Sequence, residues 1–488
     1  MLAAGAALGV RSPARSATTG QEPDLELRLV ASPGRAQILR GEQTAVLRYS
    51  GEVLRGRRDA LQPAPGYLGP TLELRRGERV RIRFENRLDE PSIVHWHGLL
   101  VPESADGHPR FAVGPGGHYV YEFTVINPAG TYLYHPHPHG RTGAQVYFGL
   151  AGLLIVREPW ERDAGLPAGP YELALVIQDR RIAPDNQLVF EQSMMDAMTG
   201  VLGDTVLVNA RADALYRVAR RPYRLRLANV SNARIYKLAW SDGRPMRVIG
   251  VDNGLLPAQV GPLERPYLTL APFERVELIE DFGSRAPGAQ IALVSRAFSS
   301  DAGMGAMMGN MMGGGMMGPG QGMELSVARF AVAREGAARG EALRLPPENL
   351  ALPEPRLELQ TRLAFRMMRG FLNGRRFQMD AVARDERLPF EEPVRWTFEN
   401  TDVGGMMAMP HPMHVHSARF PIVERAGGAP PDLAEGLVDA GYKDTVLVFP
   451  GQRVSVQFAP QHRGLFVYHC HNLEHEDGGM MRNYLVAV

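Results

Sequence analysis

Cysteine is all but absent from this chain: Cys470 is the only one in 488 residues. A single thiol excludes an intramolecular disulfide and leaves the redox compartment open. Lysine is nearly missing as well, limited to Lys237 and Lys443, so arginine carries almost all the positive charge. A net charge of +1 excludes the broad attraction to nucleic acid or anionic membrane that a strongly basic protein would show. No stretch approaches the ~18 uninterrupted apolar residues of a membrane-spanning helix. The length exceeds what one core can organise and points to two to four domains. At the N-terminus (residues 1–23), a small apolar run from Met1 to Val10 precedes a Ser/Ala/Thr/Pro-rich run from Arg11 to Gly20. It resembles the hydrophobic and cleavage regions of an export signal lacking its charged front. A twin-arginine leader with an upstream start accounts for it, and so does a disordered tail. The first reading places the protein outside the cytoplasm, periplasmic or extracellular.

What the chain has is histidine, 14 residues, of which 11 gather into four clusters. They are His95-Trp96-His97-Gly98, His135-Pro136-His137-Pro138-His139, His411-Pro412-Met413-His414-Val415-His416, and His469-Cys470-His471 with His475 close behind. Only His108, His118 and His462 stand apart. One H-x-H pair means little, because alternate residues of any strand share a face; four, with the sole cysteine inside one, imply metal. A lone thiolate with two imidazoles and the thioether of Met480 is a blue-copper ligand set. If His469 and His471 flank Cys470 on a strand, they project to the face opposite the thiolate. A second metal centre would then lie a few covalent bonds from the first, wiring an electron donor to an acceptor.

Internal repetition organises the rest. Arg81-Ile-Arg-Phe-Glu-Asn86 recurs as Arg224-Leu-Arg-Leu-Ala-Asn229 and Arg395-Trp-Thr-Phe-Glu-Asn400. Each alternates like a half-buried strand and reaches a turn-forming asparagine. Proline turns then lead into further alternating strands at Pro115, Pro272 and Pro450. Gly130 precedes His135 at the spacing that separates Gly464 from His469, whereas in the middle copy Gly288 meets Leu293 at that distance. The pattern predicts three similar all-β sandwich domains over residues 24–158, 165–330 and 356–488. The middle one lacks ligands and reads as a spacer that positions the outer two.

At these residues the chain resembles the three-domain, laccase-like multicopper oxidases, built from consecutive cupredoxin-like Greek-key β-sandwich domains. The motifs H-x-H-G, H-x-H, H-P-x-H-x-H and H-C-H-x3-H-x4-M are all present, and the resemblance spans nearly the whole chain beyond its N-terminal tail. It implies four copper ions. His411, Cys470 and His475 would hold a type 1 copper with Met480 as weak axial ligand, giving a moderate potential. His95 and His414 would hold a type 2 copper, and His97, His135, His137, His416, His469 and His471 a type 3 pair. His139 is expected to orient a ligand ring by hydrogen bonding rather than to ligate. The implied activity is one-electron oxidation of a substrate at the type 1 copper, electron passage through Cys470 to His469 or His471, and four-electron reduction of O₂ to water. Asp106 and Glu476 match the positions of acids that deliver protons in similar enzymes.

Methionine is abundant, 22 residues, and concentrated in the segment 303–323 at the end of the middle domain: Met304, Met307, Met308, Met311, Met312, Met316, Met317 and Met323. Its glycines preclude a packed helix, while soft thioethers suit Cu(I). Met406, Met407 and Met409 lie just before His411, and Met367 and Met368 extend the set. The reading is a cuprous oxidase with laccase activity towards phenols and aromatic amines, similar to methionine-rich bacterial cuprous oxidases and laccases. The carboxylates of their substrate-copper site have no counterpart here closer than Asp402, with Asp380 and Asp301 as replacements. The alternatives are a laccase with an organic natural substrate, its Met segment being a solvated loop or a lid, a copper-free scaffold or copper store, and a nitrite reductase. The full ligand set argues against the scaffold, and the H-C-H pair and third domain against the reductase. A monomer is expected, with no nucleic-acid partner.

Overall fold

The computed structural model describes residues 22–299, 320–348, 350, 352–366, 368–403 and 408–487. The N-terminal run to residue 21, Asp301 and the methionines at 304, 307, 308, 311, 312, 316, 317, 367, 406 and 407 lie outside the described residues.

The fold is all-β, six sheets falling into three successive pairs that repeat one topology. The strands bearing the repeated motif are Arg79–Asn86, Pro222–Asn229 and Val394–Asn400. Each runs parallel to an earlier strand (Leu25–Ala36, Glu172–Arg180, Leu357–Arg366) and antiparallel to a later one (His118–Thr124, Arg275–Asp281, Arg453–Phe458). The facing sheets are built on Gly130–Pro136, Gln290–Ser295 and Gly464–Cys470, the three strands that the glycine spacing predicts. These are consecutive cupredoxin-like sandwiches. Each pair encloses its own apolar core with one buried tryptophan, Trp96, Trp240 or Trp396.

The recurring asparagine has one job in all three copies. Its Oδ1 accepts the amide two residues on, and its Nδ2 donates to two carbonyls across the loop. Asn86 accepts from Leu88 and donates to Glu90 and Val113. Asn229 accepts from Ser231 and donates to Arg234 and Leu270. Asn400 accepts from Asp402 and donates to Met409 and Val448. A short amide side chain thus replaces backbone pairing where the strand must turn. In the first and third sandwiches this turn leads towards the histidines His95 and His411.

One expectation needs correcting. The middle motif strand is buried on both faces, not half-buried. The faces of Arg224 and Arg226 are covered by the first sandwich, where a charged network closes over them. Arg226 meets Glu172, Glu277 and Thr131, and Arg224 meets Glu161 and Glu277. Arg157 completes it with a two-pronged pair to Glu172 at 2.9 and 3.0 Å. Buried arginine persists because every charge there has a hydrogen-bonded partner of opposite sign.

Candidate metal centres

Two sites arise on the strand Gly464–Cys470 and the helix Leu473–Asp477 that follows it. At the first, Cys470 Sγ lies 3.5 Å from His411 Nδ1 and 3.6 Å from His475 Nδ1, all three residues fully enclosed. His475 donates its Nε2–H to the carbonyl of Met198 at 2.7 Å, which turns the Nδ1 lone pair towards the sulfur. Met480 is bound to both neighbours through its backbone: its N–H donates to His475 O at 2.8 Å and its carbonyl accepts from Cys470 N at 3.0 Å. Its thioether runs where a side chain on Gly370 would stand: a Cβ there would meet Met480 Cγ at 2.7 Å and Sδ at 2.8 Å. Burial raises the Cys470 thiol well above its usual range, so a cation is what would make it a thiolate.

On the opposite side of the same strand eight imidazoles converge. His95, His97, His135 and His137 come from the first sandwich and His414, His416, His469 and His471 from the third, and none is exposed. Strand pairing sets them opposite one another, His95 against His135 and His414 against His469. Close groups form across the two ends of the chain: His95 with His414 and His416, His137 with His416 and His469. Nitrogen pairs stand at 3.4 Å (His95 Nε2 to His414 Nε2), 3.1 Å (His416 Nε2 to His469 Nε2) and 3.2 Å (His97 Nδ1 to His471 Nε2).

The first two of these pairs are not hydrogen bonds. His95 Nδ1–H donates to Asp106 O at 2.7 Å and His414 Nδ1–H to Asp444 O at 2.8 Å, so both Nε2 atoms present lone pairs to each other. His416 Nδ1–H donates to Asp106 Oδ2 at 2.8 Å, and His469 Nδ1–H to Cys470 O at 3.2 Å, with the same consequence. His135 donates Nδ1–H to Pro136 O, leaving Nε2 buried without a partner. Burial pushes His135 down to about 3 and His137 to about 4, so both of these rings are neutral. Lone pairs converging in a dry pocket repel unless a cation lies between them, and neutral imidazole is the form that ligates. The donor sets therefore fit copper: nitrogen-only in the pocket, nitrogen with thiolate and thioether at Cys470.

Asp106 and Glu476 both reach the pocket. Asp106 is fully buried, its Oδ1 lacks a hydrogen bond, and burial together with Glu103 raises its carboxyl well above the ordinary range. Glu476, also buried, is held at about 2 despite burial by the imidazoles of His469 and His137. His139 departs from expectation: it lies exposed against Phe377, its ring 4.8 Å away, and makes no hydrogen bond to a ligand ring.

The sequence did not single out several neighbours. Asp444 Oδ1 accepts from His97 Nε2 at 3.0 Å, and Arg275 and Phe273 of the middle sandwich reach the same pocket. Met198 belongs to a short helix, Met194–Thr199, whose Met194 and Met195 face solvent. The doubled methionine at 194–195 is the one signal that could have flagged it.

A cupredoxin-type centre wired to an imidazole pocket shared by two sandwiches defines a copper oxidase. Sequence models described as multicopper oxidase match residues 53–161 and 352–488. A laccase of Bacillus stratosphericus is 30% identical over 477 residues, 85% of this chain and 88% of that protein. McoA multicopper oxidase from the hyperthermophile Aquifex aeolicus superposes with a TM-score of 0.80 at 30% identity, covering 96% of this chain and 97% of that one. Cell division protein FtsP of Xenorhabdus nematophila is 41% identical over 217 residues, 44% of this chain and 45% of that protein. The chain belongs to the multicopper oxidase family and is laccase-like. It is a copper-dependent oxidoreductase that couples oxidation of a reducing substrate to reduction of O₂. Among the described residues no helix is long and apolar enough to cross a membrane.

Proposed function

We propose that this oxidase acts on Cu(I), with activity towards phenols and aromatic amines, and that its division into residues 24–158, 165–330 and 356–488 serves that chemistry. His411, Cys470, His475 and Met480 are the type 1 set, His95 and His414 the type 2 pair, and the remaining six pocket histidines the type 3 set, for four coppers in all. Bound copper supplies one-electron redox chemistry, and four ions together match the four electrons that O₂ needs to become water. Cys470 offers a path of covalent bonds from its sulfur to His469 and His471. Asp106, with a partnerless Oδ1, holds a proton for the pocket, and Glu476 is an ionised acceptor beside His469 and His137.

The observation that carries the substrate reading is where the methionine-rich segment begins and ends. Ser299 and Gln321, on either side of it, line a mostly apolar cavity whose far wall is Met409, Pro410 and Pro412, next to His411, with Asn472 beside the Cys470 strand. Both ends are pinned: Ser299 N donates to Asp432 at 2.6 Å, and Gln321 bonds the backbones of Ile235 and Ala233 at 3.0 and 2.9 Å. Buried Met198 and Met409 pack with Phe365 and Met368 beside the same copper site. The cavity measures about 80 Å³, with the Met409 thioether in its wall. Asp402, the acid nearest His411 in sequence, fits this neighbourhood, accepting from Phe365 N while the Phe365 ring lies 4.7 Å from His475. Asp380 does not; it is exposed and pairs with Arg110 at 3.7 Å.

An exported, periplasmic or extracellular setting belongs to the same proposal, since Cu(I) oxidised there becomes the less readily imported Cu(II). Deleting residues 303–323 and measuring steady-state oxidation of Cu(I) and of a phenol tests it. Cu(I) efficiency is expected to fall by an order of magnitude or more (~1.4 kcal/mol per tenfold) while phenol oxidation holds or rises. Unchanged Cu(I) oxidation would leave the organic-substrate laccase as the better reading.

A further inference from the structure

The middle sandwich donates no ligand, yet its turn at residues 271–275 reaches the histidine pocket. Phe273 stacks on His471 with ring centroids 3.9 Å apart and planes at 24°, meets His135 edge-on at 4.7 Å, and lies 5.7 Å from His97. All three imidazoles belong to the proposed type 3 set. Phe273 holds a left-handed backbone, φ 63°, a conformation that is an outlier for a bulky residue. It is kept there by its amide bonding Asn229 O at 2.7 Å, the same asparagine that turns the middle motif strand. Strain of this kind persists where surrounding structure over-determines it, often at functional sites.

Hydrogen bonding explains why a ring is needed at this place. His95, His97, His135, His414, His416 and His469 are each oriented by a carboxylate or a backbone carbonyl. His471, like His137, has no such partner: its Nδ1 is buried and unbonded. Its ring is fixed by its backbone, which donates to Pro412 O at 2.6 Å, and by the face of Phe273. His471 is also one of the two residues through which the Cys470 sulfur communicates with the pocket.

Arg275 completes the device two residues on. It donates to both oxygens of Asp444, at 2.8 and 2.5 Å, to the carbonyl of Phe273 at 2.9 Å, and to Thr131 O of the first sandwich at 3.1 Å. Asp444 in turn takes the His97 Nε2–H through its carboxylate and the His414 Nδ1–H through its carbonyl. One guanidinium therefore binds all three sandwiches around the carboxylate that aims two ligands. Gly98, in the H-x-H-G motif, makes room for it: a Cβ there, at φ 88°, would meet Asp444 Oδ2 at 2.5 Å and Arg275 Nη2 at 2.8 Å. The motif glycine accommodates the middle sandwich rather than a copper ion.

We infer that Phe273 and Arg275 are positioning residues for the proposed type 3 pair, Phe273 by backing the imidazole of His471 and Arg275 by aiming His97 and His414 through Asp444. The ligand-free sandwich is then part of the oxygen-reducing site and more than a spacer. This inference rests on the ligand assignment above and is independent of the Cu(I) reading.

The test compares Phe273→Leu, which keeps bulk but loses the flat face, with Phe273→Tyr, which keeps the face, and Arg275→Met with Arg275→Lys. Readouts are copper per chain, the EPR spectrum, thermal unfolding and turnover. A coupled pair is EPR-silent, so a mis-set pair shows as a new copper signal or as missing copper, while the blue type 1 spectrum serves as an internal control. Phe273→Leu and Arg275→Met are expected to reveal that signal or lose pocket copper, with turnover down about 10- to 100-fold, the blue signature kept, and Phe273→Tyr close to wild type. Wild-type copper content, EPR and turnover in Phe273→Leu and Arg275→Met would overturn the inference. So would equal losses in Phe273→Leu and Phe273→Tyr that track a fall in melting temperature, since bulk alone would then be at work. A wild type with no blue signature, or with no EPR-silent pocket copper, would instead refute the ligand assignment.

Discussion

Cys470→Ser is expected to abolish the blue absorption and to reduce oxidase turnover at least about a thousandfold, roughly 4 kcal/mol on the barrier, while the protein still folds. The sulfur lies within 3.6 Å of two imidazole nitrogens and is the only thiol in the chain, so no neighbouring residue can replace it. A hydroxyl is a hard and weak donor where a soft thiolate is needed. It also severs the route from the type 1 set to His469 and His471 without disturbing those rings. Folding survives because the strand register of Gly464–Cys470 against its two neighbours is set by backbone bonds and apolar packing. The buried hydroxyl costs about 1–3 kcal/mol if it finds no partner. Pocket copper should remain, so copper per chain falls by one ion and not by four. A variant that keeps its blue band, or retains turnover within tenfold of wild type, contradicts the assignment of the thiolate.

Asp106→Asn is expected to lower turnover about a hundredfold or more with copper content and the blue spectrum unchanged. The carboxyl is in contact with two ligands from opposite ends of the chain: Oδ2 accepts from His416 and the residue's own carbonyl accepts from His95. Asparagine keeps the shape and can still accept the His416 hydrogen bond, so the rings hold their places. What it cannot do is give up a proton. The two acids at the pocket are pushed in opposite directions, Asp106 upwards by burial and Glu103, Glu476 down to about 2 by His469 and His137. Carboxylates with separated affinities divide the roles of proton donor and acceptor. Glu476→Gln should act in the same direction. Lost copper in Asp106→Asn would reassign the residue from proton delivery to holding the ligands; wild-type turnover would remove it from the reaction.

The candidate ligands were legible because their chemistry is written locally: H-x-H at the end of a strand puts two imidazoles on one side, and His469-Cys470-His471 puts a thiolate on the other. The motif strands ending at Asn86, Asn229 and Asn400 were legible for the same reason, a period of two followed by a turn-forming amide. Phe273, Arg275 and Asp444 left no comparable trace. Phe273 follows Pro272 in what reads as an ordinary turn, and its positive φ and its partner His471, 198 positions away in sequence, emerge only from the packing of three sandwiches. Arg224 and Arg226 read as the polar face of a half-exposed strand, because nothing in an alternating pattern says that another domain will cover it. His139 shows the opposite error: a third histidine in phase with two candidate ligands, but out in solvent.

The claim beneath all of this is that imidazoles from the two ends of the polypeptide share metal ions, wired through Cys470 to a separate copper. Anomalous diffraction at the copper edge, from crystals of the copper-loaded protein, tests it most directly. The expected map has one peak among His411, Cys470 and His475 and three more between the histidines of the first sandwich and those of the third. A map with copper at Cys470 alone, or with no ion bridging the His95–His137 group and the His414–His471 group, would contradict the account.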